Sequence, residues 1–132
     1  MKNVPNDPRT WLAYATDDLL LARRALDLAP AIPHGACFHA QQAAEKSLKA
    51  FLIAGRENVS RTHNLNLLVT LCRALDPAFA DLADPCELLN GFGTTVRYPP
   101  TGFDEPTEAQ ARQAVAAAAG VVAFVQARLA TT

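Results

Sequence analysis

The chain has 132 residues, half of them apolar, with 12 Lys+Arg against 13 Asp+Glu. That size suits a single helical domain over residues 1–132 with a hydrophobic core, and leaves no room for two. A net charge of −1 excludes a globally basic nucleic-acid binder, and three widely spaced cysteines, Cys37, Cys72 and Cys86, exclude a disulfide framework and fit a reducing cytoplasm.

Prolines separate Ala- and Leu-rich stretches, and alternating runs of β-branched residues are missing, so the pattern is all-α. Met1 to Arg9 lacks the basic-then-apolar order of a signal peptide. No apolar run approaches the roughly 18–20 residues of a membrane span, and no membrane association is expected.

The first helix is predicted from Pro8 to about Ala29, stopped by Pro30, with Trp11, Tyr14, Ala15, Leu19, Ala22, Ala25 and Leu26 on one stripe. A second runs from Pro33 or His34 to Ala54 and closes at Gly55, expected in the left-handed region. Its stripe of Cys37, Ala40, Ala44, Leu48, Phe51 and Leu52, flanked by the small residues Ala43, Ser47 and Ala50, predicts a central helix packed on more than one side. The third, Asn64 to Leu75, presents Leu65, Leu68, Val69, Leu71, Cys72 and Leu75. A fourth is read within Ala78 to Val96 from the spacing of Leu82, Leu89, Phe92 and Val96. The last begins near Thr107, capped with Gln110, ends near Arg128 to Ala130, and buries Ala111, Ala114, Val115, Ala118, Val121, Val122, Val125 and Leu129. Short connections between long helices predict an up-and-down bundle of four to five helices.

Asp18 lies inside the first apolar stripe, where a carboxylate needs a cationic or hydrogen-bonding partner; Lys46 and Arg97 are the candidates. Gln42, Glu45, Lys46 and Lys49 share one surface of the second helix, as a solvated face or as a ligand site. Gln41, on the apolar side, is expected to bond across a helix contact, because an unpaired buried amide costs about 1–3 kcal/mol. His34, Cys37 and His39 have poor zinc geometry on a helix and no second ligand pair follows, so neither metal nor cofactor is expected. His63, between Thr62 and Asn64, reads as a helix-start residue. No nucleophile elbow or phosphate-binding glycine loop is present. Arg97 is expected at the end of the fourth helix, against the negative end of its dipole, with the Tyr98-Pro99 turn projecting it outward.

The string Phe38-His39-Ala40-Gln41-Gln42-Ala43-Ala44-Glu45-Lys46-Ser47-Leu48-Lys49-Ala50, then His63 before Leu65, then Val96-Arg97-Tyr98-Pro99, resembles the HEPN domain family in order and spacing. With the first helix and the Ala-rich last helix, the resemblance covers nearly the whole chain. It implies a helical bundle that forms homodimers, encoded in prokaryotes beside a minimal nucleotidyltransferase in toxin–antitoxin or related systems. Catalytic members are metal-independent ribonucleases in which an Arg is followed, after four to six residues, by a His, with two copies meeting across the dimer. Arg97 matches the Arg, but the His positions hold Gly102, Phe103 and Asp104, none of which replaces a neutral imidazole. Arg56 and His63 share the spacing but fall between the second and third helices, away from the family's site.

The resemblance thus implies a non-catalytic binding subunit, with Arg97, Lys46, Lys49, Gln42, Glu45 and Asp18 as ligand-binding candidates for a nucleotide or RNA. The alternative it leaves is a divergent ribonuclease in which Arg97 holds phosphate and His63 or His39 moves the proton.

Overall fold

Proline and capping side chains set where the helices begin. In the computed structural model, which describes residues 7–58, 61–92 and 105–130, these are α1 Pro8–Asp27, α2 Pro33–Ala54, α3 Leu65–Leu75, the 3-10 segment Pro77–Leu82, α4 Ala83–Asn90 and α5 Glu108–Ala130. No strand occurs among the described residues. Asp7 accepts from the Arg9 N–H at 2.9 Å ahead of α1, Asn64 caps α3, and Thr107 and Gln110 close a reciprocal box at 3.1 and 2.9 Å ahead of α5, as their spacing predicts.

Two helix ends, those of α1 and of the fourth helix, and the turn that closes α2 differ from the sequence expectation. α1 stops at Asp27 rather than Ala29, because Pro30 has no N–H to give the preceding turn and restricts Ala29, so the chain is already extended at Leu28. At the end of α2 the left-handed residue is Arg56, with φ 60°, not Gly55, whose φ is −82°. The Glu57 N–H reaches Leu52 O and the Arg56 N–H reaches Ile53 O, both at 2.9 Å, a Schellman closure with arginine where glycine is commonest. Gly55 has a different constraint, since a Cβ there would lie 2.7 Å from Leu75 Cδ1.

The fourth helix is shorter than its apolar spacing implies. Pro85 cannot donate to the Asp81 carbonyl, so a single α-helix cannot cross it; the chain forms the 3-10 segment first, and α4 takes Pro85 into its opening turn. α4 ends at Asn90, with the Gly91 N–H on Glu87 O and Leu88 O. The expected helix end at Arg97 is therefore misplaced, and Arg97, Tyr98, Pro99, Gly102, Phe103 and Asp104 lie outside the described residues.

α2 is the central helix, packed against α1, α5, α3 and α4. Its apolar stripe and small-residue flank are buried, with Phe51 half-buried. α3 buries Leu65, Leu68, Val69 and Cys72, while Leu71 and Leu75, expected inside, are exposed. Phe79, on the 3-10 segment, fills the gap: its ring centre lies 4.3 Å from Phe51 and 5.0 Å from Phe124, joining that segment to α2 and α5. α5 buries the seven small and branched residues from Ala111 to Val125 that were expected, with Leu129 half-buried. Contrary to the sequence reading, α5 is long and apolar enough to cross a membrane by length and composition, because it is alanine- and valine-rich with few charges. Its apolar side is spent on the core.

Asp76 joins the start of the 3-10 segment to the far end of α5. Its Oδ1 accepts from the Ala78 N–H at 3.0 Å, and its Oδ2 accepts from Arg128 Nε at 2.8 Å and from the same guanidinium's Nη2. The Ala78 bond, with help from Arg128, holds its carboxyl below the usual carboxylate range. A lowered folded pKa means stabilisation that is present above the unfolded value and lost as pH falls through the folded one. Asp76→Asn is expected to flatten the fall in melting temperature between neutral and acidic pH, read by circular dichroism. Arg56→Gly removes a left-handed non-glycine residue and is expected to stabilise by up to about 1 kcal/mol, read as a rise in the urea midpoint.

Candidate functional site

Two carboxylates of the α1–α2 region are buried, and each is met by one imidazole and one ammonium group. Asp18, projecting from α1, is 6% exposed; its Oδ1 lies 2.9 Å from His39 Nδ1 and its Oδ2 accepts from Lys46 Nζ at 2.6 Å. Glu45 of α2 is 4% exposed; it accepts from Lys49 Nζ at 2.9 Å, and both its oxygens lie 3.0 Å from His63 Nδ1. An ionised carboxylate only accepts, so each Nδ1 carries the proton and each Nε2 is the basic nitrogen of the neutral ring.

The helical repeat accounts for this pairing. His39 and Lys46 lie seven residues apart, two turns of α2, on the side that faces α1, and Asp18 meets both. Glu45 and Lys49 are one turn apart on the neighbouring side, where the chain entering α3 brings His63 over them. Glu45 and Lys49 are therefore buried rather than part of a solvated face, and Gln42 beside them is half-buried. His63 does not cap α3. Asn64 does, supported by its own N–H on Thr62 Oγ1 at 3.0 Å, while Leu65 N–H donates to Asn90 Oδ1 at 3.0 Å.

The lysines also reach the aromatic residues of α1. Lys46 Nζ lies 5.8 Å from the Tyr14 ring centre and Lys49 Nζ 6.0 Å from that of Trp11, within cation–π range. Among the described residues, Thr10, Trp11, Tyr14 and Lys46 line a cleft of about 360 Å³. Sequence reasoning assigned Trp11 and Tyr14 to the core stripe, but Trp11 is half-buried and Tyr14 is 60% exposed. Their position on the same flank of α1 as Asp18 was the available signal. Each ammonium is paired with a carboxylate, Lys46 with Asp18 and Lys49 with Glu45; Lys46 is the one open to this cleft, while Lys49 is enclosed.

Other titratable and polar groups stand apart from this arrangement. Burial pushes the Cys37 thiol up to about 11 and those of Cys72 and Cys86 to about 12, so all three stay protonated near neutral pH. His34 lies 3.9 Å from Glu105 at the surface, and among the described residues no three His, Cys, Asp or Glu side chains are grouped to hold a metal ion. Gln41 is buried as expected, but its Oε1 has no hydrogen-bond partner, so the expected bond across the helix contact is not made by that atom.

The fold and site define an all-α bundle whose central helix carries paired acid, imidazole and ammonium groups beside an aromatic cleft. A model of the HEPN domain matches residues 8–128, and the chain belongs to the HEPN domain family. Its structure is similar to that of TT1696 from Thermus thermophilus, with 33% identity and a TM-score of 0.78 over 92% of this chain and 98% of that one. It is also similar to ST0689, an archaeal HEPN homologue, with 26% identity and a TM-score of 0.75 over 97% and 98% of the two chains. No curated protein matches the chain.

Removing one partner of a buried charge pair leaves the other unpaired. Lys46→Met is expected to destabilise the fold by about 1–3 kcal/mol. In the Asp18→Asn background the same change is expected to cost less, by a coupling of about 0.5–3 kcal/mol, measured as a double-mutant cycle of urea unfolding. Equal costs in both backgrounds mean that the pair contributes no interaction.

Proposed function

We propose that this chain is a non-catalytic HEPN subunit that acts as a homodimer, pairs with a minimal nucleotidyltransferase in a prokaryotic cytoplasm as part of a toxin–antitoxin-like system, and binds a nucleotide. The observation that carries this reading is the run after Arg97, where Gly102, Phe103 and Asp104 occupy the positions at which catalytic relatives need a histidine. The cleft of Thr10, Trp11, Tyr14 and Lys46 supports the ligand class, because ring faces suit a base and an ammonium with spare donors suits a phosphate. Glu45 and Lys49 support that face from beneath as a neutral buried pair, with Gln42, Asp18 and Arg97 as its further candidate contacts.

Two measurements test this. Purification from the native cell is expected to bring down a nucleotidyltransferase; a chain that is monomeric at micromolar concentration and captures no such partner overturns the reading. Titration calorimetry with ATP is expected to show binding that weakens about tenfold or more in Lys46→Gln, the cost of one charge-assisted hydrogen bond.

One observation favours a second reading, a divergent ribonuclease. Glu45 and Asp18 fix His63 and His39 in the tautomer whose Nε2 can take a proton from a ribose hydroxyl, while Arg97 holds the phosphate. RNA cleavage that disappears both in Arg97→Ala and in His63→Ala or His39→Ala supports this reading; cleavage undiminished by all three excludes it.

A further inference from the structure

α1 and the turn after it carry five exposed large apolar side chains, Tyr14, Leu20, Leu21, Leu28 and Ile32, each between 39% and 60% exposed. Tyr14, Leu21 and Leu28 recur every seven residues and lie within about 40° of one another, as an exposed stripe along the flank of α1 that borders its contact with α2. Asp17 and Arg24 form the adjoining line. Both are exposed, and Arg24 holds Asp27 only at 3.6 Å.

We infer that this stripe is the seam on which a second copy of the chain packs, α1 against α1, antiparallel about a two-fold axis at Leu21. The inference rests on the homodimer reading and specifies where the dimer forms. At about 1.5 Å per residue, Tyr14 and Leu28 lie about 10.5 Å to either side of Leu21. The two-fold axis therefore sets Leu21 against its own copy and Tyr14 against the second copy's Leu28. Asp17 lies about 6 Å before Leu21 and Arg24 about 4.5 Å after it, so Asp17 falls within about 1.5 Å, along the axis, of the second copy's Arg24 on the same side of the seam. Two ion pairs form. Parallel packing, about an axis running along the seam, puts the two Asp17–Arg24 lines on opposite sides of it, so neither ion pair forms. An unrelated apolar partner fits the leucines but leaves the reversal of charge about Leu21 without a reason. Tyr14 belongs to both stripe and cleft, so the second copy's Leu28 also lies against the rim of the Trp11–Lys46 cleft.

The test uses the full chain. Leu21→Cys is expected to give a covalent dimer with a short bis-maleimide, while Leu71→Cys, on the exposed face of α3, does not; the native thiols are buried and stay silent. In sedimentation, Leu21→Asp is expected to weaken dimerisation at least tenfold with its helical circular dichroism intact. Asp17→Arg and Arg24→Asp each weaken it, and the two together restore it. A parent chain that sediments as a dimer, is unaffected by these changes and does not cross-link at position 21 places the seam elsewhere and leaves the homodimer reading standing. A dimer that cross-links equally at positions 21 and 71 also overturns the seam. A monomeric parent chain overturns both.

Discussion

A carboxylate inside an apolar helix interface is tolerated only where the facing helix answers its charge. Asp18 meets that condition because two residues of α2, two turns apart, present an imidazole and an ammonium to the same point. The pairing sets the axial register of α1 against α2. Asp18 reaches both from between them, so a slide of one turn, about 5.4 Å, in either direction takes it away from one of the two partners. The alanines Ala15, Ala22, Ala36, Ala43 and Ala50 let the helices approach, but small apolar side chains tolerate more than one register. The polar contact selects among them.

Glu45 repeats the arrangement one face around α2 and extends it to the chain entering α3 through His63. Both acid groups therefore connect α2 to a different part of the chain, and both leave an imidazole with its second nitrogen basic. The same contacts serve stability and any chemistry the face performs. A side chain changed for its function is also changed for the fold, so activity and unfolding have to be measured on the same variants.

The helices were legible in the sequence where apolar periodicity agreed with capping chemistry. α2, α3 and α5 begin where Pro33, Asn64 and Thr107 place them. The expectation failed where hydrophobic spacing was followed across a proline: Leu82 and Leu89 do recur at helical intervals, but Pro85 divides the segment. Phe79 shows a related limit. Nothing local marks it, because it is buried by ring contacts with Phe51 and Phe124, residues distant in sequence. For the site, the need of Asp18 for a cation and the choice of Lys46 were readable from one helix stripe and one cluster. The partnership of His63 with Glu45 was not, since it depends on the path of the chain between α2 and α3. Leu71 and Leu75 looked buried because periodicity identifies an apolar face without saying whether another element covers it.

The amide of Leu65 is bonded to the side chain of Asn90, so the last residue of α4 closes the first turn of α3. Asn90 thus acts as a latch between two segments far apart in sequence. Displacing it exposes an unpaired N–H two residues from His63 and loosens the backbone that holds that ring over Glu45. The exit of α4 and the entry of α3, which carries His63 over Glu45, thus share one hydrogen bond.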